Sequence, residues 1–122
     1  MPTGRDMNDN LRAVIAYLVA SYTDQRTKNS VFDYSRSQHI NISGNITDAQ
    51  VQLFDHDAGA HITGSLPNLF HHGLGAHFSI EKNGDQFKGF DFGTGTHWTA
   101  TISGNNVTIF DYAQGQHFIY QV

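Results

Sequence analysis

Cysteine is absent from this chain. That removes disulfides, thiolate nucleophiles and every cysteine-ligated zinc or iron–sulfur site. Basic residues are scarce: seven Lys and Arg stand against eleven Asp and Glu, for a net charge of −4. The electrostatic footprint of a nucleic-acid binder is therefore missing. No apolar run approaches the roughly 18 residues that a membrane-spanning helix needs, so neither nucleic acid nor membrane is an expected partner. The G-x-S-x-G, H-E-x-x-H, P-loop and dinucleotide patterns are also lacking, and with them any motif-based reason to name a catalytic residue or a cofactor.

What is present suits one folded domain. The 122 residues are 39% hydrophobic and 12% aromatic, enough to build one core. Histidine occurs eight times and glycine twelve times. Beyond residue 36 the only cations are Lys82 and Lys88, so the acidic excess belongs to the later part of the chain.

Residues 1–30 read as a frayed start at Met1–Gly4, a helix and a polar linker from Gln25 to Ser30. Leu11, Val14, Ile15, Leu18, Val19 and Tyr22 recur at the spacing of one helical face, with Asn8 or Asp9 placed to cap the first turn. Asp6 and Asp9 stand where a secretory leader would be basic, and Arg12 interrupts the apolar run. The expectation is a cytoplasmic protein with an amphipathic helix that plugs a barrel mouth or covers a seam.

From residue 31 the chain repeats itself. Phe32 and His39, Phe54 and His61, Phe70 and His77, Phe90 and His97, and Phe110 and His117 are each seven residues apart. Asp33, Asp55, Asp91 and Asp111 follow the phenylalanine in four units, with His71 in the third. Glycine precedes the histidine by two in four units, and Ser37 takes that place in the first. Each unit reads as a β-hairpin whose glycine occupies the left-handed position of a three-residue bulged loop. That register sets Asp111 opposite His117 and Phe110 opposite Phe118. It turns the phenylalanines inward and the Asp–His pairs to water.

Further turns are expected at Ser43-Gly44-Asn45, Leu66-Pro67-Asn68, Asn83-Gly84-Asp85 and Ser103-Gly104-Asn105-Asn106. The fold class is thus mainly β (α+β by content): one helix, then an antiparallel meander of about ten short strands over 31–122. The meander closes, or nearly closes, into a barrel within a single domain 1–122. A two-sheet β-sandwich is the alternative.

Function follows less directly. A non-enzymatic binding or assembly module, with a homo-oligomer as a possible assembly, is the first expectation. A carrier of a small apolar ligand is the second, its interior pocket lined by Tyr34, His56, His72, Phe92, Trp98 and Tyr120. A metal- or pH-responsive site is the third, with Asp55, His61, His71 and His77 on one wet face as its ligands. Residues repeated in every hairpin suit a structural duty in every hairpin, such as an Asp–His hydrogen bond across the strands.

Overall fold

In the computed structural model, which describes residues 7–24, 29–47, 49–84 and 86–122, one helix precedes eleven strands. The start expected to fray and residues 25–28 of the linker lie outside the described residues. Helix α1 covers Asp9–Asp24. Asn8 caps it: its side-chain oxygen accepts the backbone N–H groups of Asn10 at 2.8 Å and Leu11 at 3.4 Å.

The strands are β1 (Ser30–Asp33), β2 (Gln38–Thr47), β3 (Gln50–Asp55), β4 (Ala60–Ser65), β5 (Asn68–His71), β6 (Ala76–Ser79), β7 (Glu81–Asn83), β8 (Gln86–Asp91), β9 (Thr96–Ser103), β10 (Asn106–Asp111) and β11 (Gln116–Gln121). Chain neighbours other than β6 and β7 pair antiparallel, β1 pairs with β11, and β6 meets β8 through Phe78 opposite Asp91. Ten strands thereby close one ring, which is a barrel and not a sandwich. The short β7 lies beyond it, keeping the register of β6 past Ile80 along the same edge of β8.

Helix α1 runs through the lumen. Every residue from Leu11 to Ala20 is at most 2% exposed. The expected mouth plug or seam cover is corrected by the alanines: Ala13, Ala16 and Ala20 fill the flank that looked non-apolar, so the helix is buried all round. Ile40, Ile42, Leu53, Ile62, Phe78, Trp98, Ile109, Phe118 and Tyr120 pack with it in one core. Each large aliphatic or aromatic side chain so buried contributes on the order of 1.5–3 kcal/mol.

Two expectations about strands need correction. β2 does not turn at Ser43-Gly44-Asn45 but continues to Thr47. Gly44 lies inside the strand with φ +139°, where a Cβ would stand 2.1 Å from the carbonyl oxygen of Gln52. The second correction is the hairpin register. Phe110 faces His117 and Asp111 faces Gln116, and the equivalent pairs recur in the other four hairpins. The connecting loop holds four residues, closed in the last hairpin by a 2.8 Å bond from the Gly115 N–H to the Asp111 carbonyl. A register shifted by one residue moves a whole strand face. Asp33, Asp55, Asp91 and Asp111 are therefore buried and the repeat histidines face out, so the Asp–His pairs do not form.

Candidate functional site

The inner side of the loop end is built from the carboxylates. Asp33, Asp55, Asp91 and Asp111 each turn one oxygen to their own loop. Asp111 Oδ1 accepts the N–H groups of Ala113 (2.9 Å) and Gln114 (3.3 Å), and Asp55 Oδ1 those of Asp57 and Ala58. An aspartate two residues ahead of a turn N–H makes this bond without distorting the backbone. In the third hairpin His71 replaces it, with Nδ1 accepting the Leu74 N–H at 3.2 Å.

The second carboxylate oxygens tie down the helix start. Asp55 Oδ2 accepts Asn10 Nδ2 at 3.1 Å, and Asp111 Oδ2 accepts Arg12 Nη1 at 3.3 Å. Arg12 also donates to the Met7 carbonyl and to Asp9, and its guanidinium lies 3.7 Å from the centroid of Phe118. Arg36 Nε donates to Asp33 Oδ2 at 2.6 Å, and Arg36 Nη1 donates to Asn10 Oδ1. Burial alone would raise the Asp33 carboxyl, but the Ser35 and Arg36 bonds and the Arg36 charge outweigh it, so its pKa falls below the ordinary value. The positive end of α1 faces these anions, which adds to their stability. This cluster is a latch for the helix; among the described residues only Arg12 Nε and Arg36 Nη2 in it are buried without a hydrogen-bond partner.

The outer side carries rings. Each phenylalanine of the repeat packs against its histidine with centroids 4.6–4.9 Å apart, edge-on in four units and tilted at 57° in the last. On its other side stands the residue after the acid: Tyr34, His56, His72, Phe92 or Tyr112. Five three-ring groups thus circle the barrel near the loop end. Phe92, Tyr112 and Tyr34 are 57%, 56% and 48% exposed. His56 and His72 are fixed by Nε2 contacts to the Ser43 and Thr63 hydroxyls.

The expected site residues are therefore divided. Tyr34, His56, His72 and Phe92 lie on the outer belt, whereas Trp98 and Tyr120 are in the core, so the six do not line one interior pocket. Asp55 and His71 are buried, while His61 and His77 are on the outer wall, so these four do not share a face. Among the described residues no three His, Asp or Glu side chains are grouped as metal ligands. Burial, the largest influence on His71, lowers its pKa, with Asp55 and Asp91 acting in the opposite sense. Burial also pushes the Tyr120 hydroxyl well above the usual tyrosine range.

A cleft of 460 Å³ opens where the belt crosses β8 and β9. The rows Glu81–Lys88–Thr99 and Phe90–His97 form its floor, with Ser79 and Tyr112 at the sides. Gly89 lies beneath it, where the chain at Ser79 and the Trp98 ring approach too closely for any side chain. A Cβ there would stand 1.9 Å from the Ser79 carbonyl oxygen and 2.4 Å from Cζ2 of Trp98. Sequence reasoning missed Gly89, Glu81, Lys88 and Ser79, because they lie outside the positions of the five-unit repeat, although the turn expected at Asn83-Gly84-Asp85 is what sets Glu81 opposite Lys88. A smaller cavity of 160 Å³, lined by Tyr22, Leu66, Ile80, Lys82 and Phe87, is separate from this cleft.

Compared with protein-family models, curated proteins and solved structures, the chain matches none. No helix among the described residues is long and apolar enough to cross a membrane.

Proposed function

We propose that this chain is a non-catalytic binding module whose recognition surface is the outer aromatic belt. The observation that carries the reading is the five-fold group of rings held on the outer wall while a helix fills the lumen. Exposed aromatic area attracts partners, and large exposed patches on soluble proteins mark interaction sites. Catalysis finds less support: the buried aspartates are committed to loops and to the helix, and each histidine of the belt recurs in a similar setting. A carrier reading has as its support the 160 Å³ cavity beside Tyr22, whose hydroxyl is buried without a hydrogen-bond partner among the described residues.

Nuclear magnetic resonance with a mixed fragment set (neutral polyols, nucleosides, amino acids and short fatty acids) separates the two. The belt reading expects shift changes confined to Tyr34, Phe92, Tyr112 and their ring partners. Changes confined to Tyr22, Leu66 and Phe87 with the fatty acids would replace it with the carrier reading.

A further inference from the structure

We infer that the cleft across β8 and β9 is a binding site for a neutral saccharide, a reading that rests on the belt being the recognition surface. Charge points first to a neutral ligand. Glu81 and Lys88 are cross-strand partners at the cleft, one of each sign, so the site carries no net charge of its own.

Ring geometry comes next. Phe90 meets His97 at 65° and Phe92 at 72°, and Phe110 meets Tyr112 at 89°. In each of these contacting pairs the rings are steeply inclined, so no pair presents two parallel faces to a flat heterocycle. A pyranose asks for something different: single ring faces against its weakly positive C–H hydrogens, and polar groups around its rim.

The rim is supplied. The Ser79 hydroxyl oxygen accepts the Phe90 N–H at 3.0 Å and keeps its own proton to donate. Thr99 adds a second hydroxyl, Glu81 only accepts, and Lys88 only donates.

One buried group lacks a partner. The indole N–H of Trp98 makes no hydrogen bond among the described residues. Trp98 faces the interior beneath the cleft floor, its Cε2 2.7 Å from where a Cβ on Gly89 would stand, so the ring senses the cleft from its inner side. Beyond the cleft, Gln86 and Thr101 face each other in the next row, an uncharged polar strip for a second sugar ring.

Trp98 is the chain's single tryptophan, so its fluorescence and its indole proton report this site alone. The full chain is titrated with maltose, cellobiose and lactose, and with adenosine as a flat competitor. The inference expects at least one disaccharide to change Trp98 emission saturably and to move the indole N–H resonance. Tyr112→Ala, at an exposed position, then weakens that affinity about tenfold without changing the melting temperature, and Tyr34→Ala leaves it unchanged. Saturation by adenosine with no response to any disaccharide overturns the saccharide assignment and leaves the belt reading standing. Disaccharide-induced shifts at Tyr34 or His56 with Trp98 unmoved overturn the cleft and again spare the belt. Silence of every belt signal to all four probes and to the fragment set, up to about 100 mM, overturns both.

Discussion

A single aspartate in this fold has two duties, and the residues differ in how much depends on the second. Asp111 caps its loop and also faces the buried guanidinium of Arg12; Asp91 caps its loop and otherwise accepts only the Thr94 hydroxyl. Truncating one partner of a buried ion pair leaves an uncompensated charge, at a cost of about 3–5 kcal/mol. Losing a loop cap costs about 1–2 kcal/mol. Chemical denaturation should therefore place Asp111→Ala well below Asp91→Ala in stability. Equal losses would show that Arg12 does not depend on Asp111.

At the scale of the hairpin, the third unit differs from the other four because histidine stands at the loop-capping position. The buried His71 ring faces Asp55 and Asp91 from neighbouring hairpins and has His72 beside it; burial dominates and lowers its pKa from 6.5. The unfolded chain then binds the proton more readily than the folded one. Stability is complete above about pH 6.5 and falls as acid protonates the unfolded state first. His71→Asn keeps an acceptor for the Leu74 N–H and removes the titration. Between pH 7 and 5 the melting temperature of the parent should fall more than that of the variant; parallel curves would remove His71 from the acid response.

The strands themselves were legible, since most of their bounds follow from turn residues and alternation. Their facing was not. Treating Gly115 as the end of a three-residue loop, and not of a four-residue one, moves the first strand of each hairpin by one place and turns Phe32, Phe54, Phe70, Phe90 and Phe110 inward. The second strands, with Ile40, Ile62, Phe78, Trp98 and Phe118, keep the inward facing expected of them. A corrective signal was present: Val51, Leu53 and Asp55 alternate in phase, as do Val107, Ile109 and Asp111, so the acid shares the aliphatic face. The cleft was not singled out, because Ser79, Glu81 and Gly89 fall outside the repeat positions, although the hairpin turn at Asn83-Gly84-Asp85 already implied their proximity.

Taken whole, the molecule is a barrel built around its own first segment. A closed ring has no free strand edge to template aggregation, and a helix apolar on all sides has no stable place in water. Each supplies what the other lacks, and Asp55 and Asp111, with Asp33 through Arg36, set how far the helix enters by holding Asn10 and Arg12. The outer wall is thereby released from core duties and displays its rings.

The central claim is that α1 is interior. Native-state hydrogen exchange of the backbone amides from Ala13 to Ala20 measures this directly. The account predicts that these amides exchange only when the whole chain unfolds, with the same free energy as the slowest amides of β3 and β9. Exchange through a separate opening that costs several kcal/mol less than global unfolding, as for a helix lying on the surface, would contradict it.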